Sequence, residues 1–338
     1  MVTDLSDLRR DLIVRLRDAT GVTATNDIAD RLLNIALHDI HTNPGGHWPW
    51  SLRRAVLLTH AVYSEGTVTI ADATRTTVTG SGTLWNTAVT GMGYNNTRVG
   101  GKMAFGGSSE VYEVSAVGSD TSITLVDRYI SNLGTGLAGG STYTYFEDEY
   151  ALVADFFRPV NVREFSTDLP IPLIGEDWFR RRYPRNNTTG VPKVGAIFQK
   201  SFASTTTPRY RVVFHPAPDA VYSVPYTYIT SNLAVSSAGV EQAQLTADTD
   251  EPIIPLRYRH MIVFHALYHW YRDRKDDQRS QEAKAEYVDI VRRVAGETQV
   301  GQDHPRLMPL RRQILYGPSR GSRRFDTESN AFDQLLDR

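Results

Sequence analysis

His265 and His269 stand four residues apart and Asp273 follows four further on, so a continuous helix would carry two imidazoles and a carboxylate along one face. Such a set suits one divalent ion. A zinc-peptidase helix needs a glutamate directly after the first histidine as its base, and here Ala266 follows instead. Tyr268, Trp270 and Tyr271 crowd the same stretch, so the face is read as a hydrogen-bonded core or interface; no catalytic residue, metal or cofactor is assigned. The paired acids Asp148-Glu149, Glu176-Asp177 and Asp276-Asp277 are neighbours in sequence, do not face one another, and are read as solvated loops. Gly134-Thr135-Gly136 and Gly139-Gly140 lack the Lys-Ser/Thr of a phosphate-binding loop and are read as loop tips. Arg180, Arg181, Arg182 and Arg185 around Tyr183-Pro184 form the densest basic cluster of the body, read as an intersubunit contact, with a salt-bridged surface or DNA phosphate contact as the alternatives.

The elements that must hold these groups follow from periodicity. Residues 4–18 set Leu5, Leu8, Leu12, Ile13 and Leu16 on one helical face. A second helix is expected to begin after Thr25-Asn26-Asp27, to bury Ile28, Leu32, Ile35, Ala36 and Ile40, and to stop at Asn43-Pro44. His47-Trp48-Pro49-Trp50 is read as a rigid hydrophobic corner against that helix pair, followed by a short buried strand or helix end at 55–58. From Gly66 the composition turns to Thr, Val, Gly and Ser, with β-prone runs at 67–70, 76–79, 98–102, 110–116, 122–126 and 143–146 split by glycine turns. Further strands are expected at 160–165, 194–199, 210–214 and 222–229, a short helix at 175–183, and edge placement for strands near Pro216, Pro218 and Pro225. Residues 256–272 carry the strongest helical pattern. A last helix presents Ala283, Tyr287, Ile290, Val291 and Val294, with Gly296 as its C-terminal cap.

The fold class expected is therefore α+β: a helical body with two N-terminal and two C-terminal helices, a small mostly antiparallel sheet, an inserted all-β barrel or sandwich, and an extended C-terminal arm. The boundaries are 1–65 with 147–300 for the body, 66–146 for the inserted module and 301–338 for the arm.

Composition sets outer limits. A chain of 338 residues, 41% hydrophobic and 22% charged, has material for about two domains. A formal net charge of -1 argues against a protein that grips nucleic acid over its whole surface. The absence of cysteine excludes disulfides and thiolate metal sites. No basic-then-apolar leader opens the chain and no apolar run reaches the roughly 18–20 residues that span a bilayer, so synthesis and folding in the cytoplasm are expected.

The arm separates its charges. Arg306, Arg311, Arg312, Arg320, Arg323 and Arg324 precede Asp326, Glu328, Asp333 and Asp337, and Phe325, Phe332, Leu335 and Leu336 share one side of a notional helix. Such a segment is too polar for a core of its own and suits docking on another subunit.

The order of motifs resembles the head-to-tail adaptor proteins of tailed bacteriophages, the connectors that dock beneath the portal ring. The likeness rests on Ala29-Asp30-Arg31-Leu32-Leu33-Asn34-Ile35-Ala36-Leu37 leading to His47-Trp48-Pro49-Trp50, and on Gly175-Glu176-Asp177-Trp178-Phe179-Arg180-Arg181-Arg182-Tyr183-Pro184 before Gly190-Val191-Pro192. It continues through His215-Pro216-Ala217-Pro218-Asp219 and residues 245–255, and it covers most of residues 1–300. The module, with Val78-Thr79-Gly80-Ser81-Gly82-Thr83-Leu84-Trp85 and Ile123-Thr124-Leu125-Val126-Asp127-Arg128, is similar to a unit of phage neck and tail proteins.

The resemblance implies a non-enzymatic virion protein made in the host cytoplasm, with about twelve copies closing a ring around the DNA channel through a heterologous interface. DNA would pass through the lumen without sequence-specific binding. The implied partners are the portal, a downstream tail, nozzle or stopper protein, and a tail fibre held by the module. The arm's arginines and its Phe325, Phe332, Leu335 and Leu336 stripe would meet the portal. The competing reading is a tail or baseplate protein whose module binds host glycan or a fibre through Trp85, Tyr94 and Tyr112.

Overall fold

The computed structural model describes residues 4–16, 23–42, 48–106, 110–130, 135–162, 170–184, 187–199 and 210–299. Among them are five α-helices: α1 (Leu5–Leu16), α2 (Thr23–Thr42), α3 (Glu176–Arg182), α4 (His260–Asp273) and α5 (Asp277–Gln299). The fold is mixed α+β. None of the described helices is long and apolar enough to cross a membrane. The chain forms two compact units: one is the continuous stretch Arg53–Ile229, and the other combines the segments before and after it.

The two-segment unit is mainly helical, with one small antiparallel sheet in which Ala234–Val235 pairs with Glu241–Gln242 and with Glu251–Pro252. Asp4 caps α1 from just before it: its carboxylate accepts from the Asp7 N–H at 3.0 Å and so satisfies one of the free donors of the first turn. Its Leu5, Leu8, Leu12 and Ile13 are buried, as their spacing requires. α2 buries Ala29, Leu32, Leu33, Ala36, Leu37 and Ile40, whereas Ile28 and Ile35 are exposed. The expected stripe was thus displaced by about one residue, because α2 carries apolar side chains on nearly all sides and packing on α1 and α4 selects the face. α2 also begins earlier than expected, at Thr23. α4 contributes Met261, Ile262, Val263, Ala266 and Leu267 to the same core, and α5 adds Ala283, Ile290, Val291 and Val294. α5 runs past Gly296 to Gln299, so that glycine is not its cap. Trp48 closes the core: it is buried, its Nε1–H donates to the Ile40 carbonyl at 2.9 Å, and it stacks on Trp50 at 4.9 Å. The hydrophobic corner expected there is present.

The continuous unit is built of strands. β1 (Leu52–Leu58) is a strand, but Val56 and Leu58 point to solvent, so it is half-buried rather than buried. Next come β2 (Thr67–Ile70), β3 (Thr77–Ser81), β4 (Lys102–Phe105), β5 (Val111–Ser119), β6 (Ser122–Leu125), β7 (Leu137–Ser141) and β8 (Tyr143–Phe146). They make a seven-stranded sheet ordered β7-β2-β3-β6-β5-β4-β8, with antiparallel pairings throughout. Alternate residues such as Val68 and Ile70, Met103 and Phe105, and Ile123 and Leu125 point into one core. The run at 98–102 is not a strand: the chain turns at Gly100, which has φ +85°, and pairing begins only at Lys102.

The rest of the unit comprises β9 (Glu149–Ala151), β10 (Phe156–Val162), β11 (Leu173–Ile174), β12 (Val194–Gln199), β13 (Tyr210–His215) and β14 (Ser223–Thr230). One sheet is ordered β1-β14-β10, the other β11-β12-β13-β9. β11 runs parallel to β12; β12 with β13 and β13 with β9 are antiparallel. Tyr150, Phe156, Val212, Phe214, Val224, Tyr226 and Tyr228 form an aromatic-rich core. On the opposite face of β13, Val213 joins Ala196 and Phe198 against Phe179 of α3. β14 occupies the centre of its sheet despite Pro225, against the edge placement expected from that residue. An eight-residue strand absorbs one missing N–H donor near its start.

Candidate functional site

In the helical unit, motif residues converge on the loop at 245–255. Asn34 of α2 uses its whole amide there: Oδ1 accepts from the Leu245 N–H at 2.9 Å, and Nδ2 donates to the Leu245 carbonyl at 3.0 Å. Arg9 of α1 donates to Asp30 of α2 at 2.7 and 2.8 Å and to Asp248 of the loop at 2.8 Å. The loop carbonyls of Asp250 and Asp248 accept from the Leu5 and Ser6 N–H groups, capping α1 from outside its own segment. Asp250 is buried. Its Oδ2 accepts from the N–H groups of Ala247 and Thr246, the Thr246 hydroxyl and the Gln242 amide. Burial alone would raise its pKa, but these donors outweigh it and hold the carboxyl below its ordinary value.

A second convergence lies in the strand unit. Tyr183, at the end of α3, stacks on His215 with ring centroids 3.7 Å apart. The Gly190 N–H donates to the Ala217 carbonyl, and the Ala217 N–H to the Thr188 carbonyl. The two sequence-distant motifs therefore form one corner. Glu176 and Asp177 lie in α3 rather than a loop, and each holds an arginine one turn on: Arg180 at 2.8 Å and Arg181 at 2.9 Å. Arg180, Arg181 and Arg182 are exposed; Arg185 lies outside the described residues. Beside them opens a cavity of about 260 Å³ lined by Lys102, Asp148, Glu149, Glu176, Arg180 and Tyr183 among others.

Asp148 and Glu149, expected in a solvated loop, are instead largely buried where the chain leaves β8. Lys102 Nζ reaches Asp148 at 2.7 Å and Glu149 at 3.7 Å. Next to them Glu147 accepts both arms of the Arg98 guanidinium and the Tyr145 hydroxyl. Three acids in a row thus anchor the return of the chain from the seven-stranded sheet. Burial, reinforced by the Glu147 charge, pushes the Tyr145 phenol far up. Asp276 caps α5, accepting from the Arg279 N–H at 3.3 Å, so it too is not a loop residue without a role.

His265 and His269 share one face of α4, as their spacing predicts, with Nε2 atoms 3.2 Å apart. Asp273 does not join them as expected. It ends α4, is two-thirds exposed and pairs with Arg272 at 3.5 Å. The carboxylate that meets both imidazoles is Asp39 of α2, at 2.9 Å from His269 Nε2 and 3.6 Å from His265 Nε2. All three ligand atoms lie within 4.8 Å of one another. Tyr287 and Tyr268 cover His265, at centroid distances of 4.4 and 5.8 Å. Burial, with the neighbouring His269 charge, lowers the His265 pKa to about 4 against the pull of Asp39, and burial also lowers that of His269.

The aromatic platform needed by the glycan-binding reading is not on the surface. Trp85 and Tyr112 are buried in the module core, and Trp85 Nε1–H donates to the Tyr143 hydroxyl at 2.9 Å. Tyr94 is half-buried against His60 and Arg98. The arm residues Arg306, Arg311, Arg312, Arg320, Arg323, Arg324, Phe325, Phe332, Leu335 and Leu336 lie outside the described residues. Residue patterns did not disclose Asp39 as the partner of the histidines or Asp250 as a buried acceptor. For Asp250 the Thr246, Ala247 and Asp250 spacing of an acid-closed turn was an available signal.

No curated protein matches the chain. The model of the SU10 adaptor protein family matches residues 110–313, more than half of its length, from β5 to beyond α5. The resemblance drawn from motif order is thus met by an independent comparison, and the chain belongs to the SU10 adaptor protein family.

Proposed function

We propose that this protein is the structural head-to-tail adaptor of a tailed bacteriophage, about twelve copies forming a ring under the portal that links the capsid vertex to the tail and surrounds the DNA channel. Membership of an adaptor family is the observation that carries this reading. The clamped motifs support it: Arg9, Asn34 and Asp250 spend their polar groups on fixing the loop at 245–255 against α1 and α2, which is work for a rigid building block. The protein is a virion component and not an enzyme. A formal charge of -1 suits a lumen through which DNA passes without sticking.

In functional terms residues 1–65 with 147–300 are the adaptor body, 66–146 an inserted module facing tail fibres or neighbouring tail proteins, and 301–338 the arm. The arm holds the portal, its Arg306–324 half meeting acidic surface and Phe325, Phe332, Leu335 and Leu336 filling a groove between subunits. The Arg180, Arg181 and Arg182 face, with Arg185, contacts the neighbouring subunit of the ring. Many weak contacts repeated around a ring give the joint its strength through avidity.

Truncation after Gly301 tests the reading. The shortened chain should keep its circular dichroism spectrum yet fail to co-sediment with portal rings. Undiminished co-sedimentation removes the arm from the interface. Imaging full-length protein mixed with portal should show closed rings, and monomers that ignore the portal would overturn the adaptor assignment.

A further inference from the structure

Asp39 and the two α4 histidines present a problem of protons. Asp39 Oδ2 and both Nε2 atoms, each able to offer a lone pair, stand 2.9, 3.2 and 3.6 Å apart. At 2.9 Å from the carboxylate, His269 Nε2 is placed to donate to Asp39 when no ion lies between them. His265 then offers Nε2 as a lone pair and must carry its own proton on Nδ1. That nitrogen is buried without a hydrogen-bond partner among the described residues. Without an ion, three lone-pair atoms thus converge with one proton to separate them, and a bound cation would satisfy all three; the His265 Nδ1–H is unpaired in either case.

We propose that Asp39, His265 and His269 form a binding site for a divalent transition-metal ion of the zinc class. Three donors about 2.0–2.1 Å from a tetrahedral ion stand about 3.3–3.4 Å from one another, so the observed separations need to change by only a few tenths of an ångström. Two imidazoles and one carboxylate favour zinc, cobalt or nickel over magnesium or calcium, which require more oxygens. The histidines are nearly buried and Asp39 is 42% exposed, so the ion enters from the carboxylate side and keeps its fourth position there for water or a donor from another molecule. The ligands come from two helices, residue 39 of α2 and residues 265 and 269 of α4. Bound metal therefore staples α2 to α4 within the helical unit. This inference does not depend on the adaptor reading.

The test uses tag-free, chelator-treated full-length protein titrated with cobalt(II) and, separately, with zinc. Near one equivalent, cobalt should develop the visible absorption of a four-coordinate site, and zinc should bleach it. Saturating zinc should raise the melting temperature by about 5 °C or more, with no such effect from magnesium. His269→Gln should weaken binding at least about 100-fold and Asp39→Asn about 10-fold. Asp39 lies at the surface, so its variant keeps the test decisive even where a histidine variant misfolds. Absence of stoichiometric cobalt binding, or Asp39→Asn binding as tightly as the parent, overturns the site.

Discussion

Asn34 and Leu245, 211 residues apart in sequence, are joined by two hydrogen bonds through opposite ends of one side-chain amide. An amide is the side chain that can accept from a backbone N–H and donate to the same residue's carbonyl. Asn34→Ala strands both backbone groups and should cost about 2 kcal/mol in denaturant unfolding. Asn34→Asp should cost at least as much, since it sets a carboxylate oxygen against the Leu245 carbonyl. Equal stability of parent and Asn34→Asp would show that the bonds contribute nothing.

Asp250 supplies a pH dependence with a definite sign. Its folded pKa lies below the ordinary value of 3.8, so the folded state holds the proton less tightly than the unfolded one. The stabilisation is complete above pH 3.8 and is lost as pH falls through the lower folded value. Asp250→Asn should lower stability by about 2 kcal/mol at pH 7, and the gap to the parent should narrow as the pH falls below the ordinary value of 3.8. Melting curves collected from pH 7 to 2.5 measure it.

Glu147 is 7% exposed and held by Arg98, itself 38% exposed. Removing the arginine abandons a buried charge, whereas neutralising the glutamate leaves a cation that water can reach. Arg98→Ala should therefore destabilise by about 3 kcal/mol and Glu147→Gln by less, with little response to added salt. The same reasoning bears on any deletion of residues 66–146, which would also strand Asp148 from Lys102 unless Glu147→Gln and Asp148→Asn accompany it.

Trp85 fills the module core, and Gly80 leaves room for it: a Cβ at position 80 would press on the Thr83 side chain and lie 2.9 Å from the indole. Trp85→Ala should cost about 3–5 kcal/mol and Gly80→Ala about 1–3 kcal/mol, read by tryptophan fluorescence during unfolding. A glycan-binding aromatic at position 85 would instead tolerate alanine with unchanged stability.

Much of the architecture was visible in residue spacing. β8 at Tyr143–Phe146, β12 at Val194–Gln199 and the buried faces of α1 and α5 emerge where one period dominates. α2 was misphased because residues 28, 29, 32, 33, 35, 36, 37 and 40 are all apolar, so two stripes fit and only its neighbours choose between them. Local spacing correctly aligned His265 with His269 but nominated Asp273 as their acid. Asp39 is the acid in place, brought there by packing of α2 on α4. Contacts across 226 positions leave no trace in a helical repeat. Asp148 and Glu149 looked solvated for a related reason: Lys102, which neutralises Asp148, arrives on the neighbouring strand β4, opposite Phe146.

The helical unit is written in two pieces, up to Leu52 and from Thr230 onward, while the strand unit is one unbroken stretch between them. A ribosome therefore delivers every residue of the strand unit before α4 and α5 exist. Until then the core that α1 and α2 share with α4 is incomplete. Early compaction of the intervening stretch shortens the tether between the two pieces and lowers the entropy lost on joining them. The order of synthesis thus favours a nascent chain in which α4 and α5 complete the core that α1 and α2 begin.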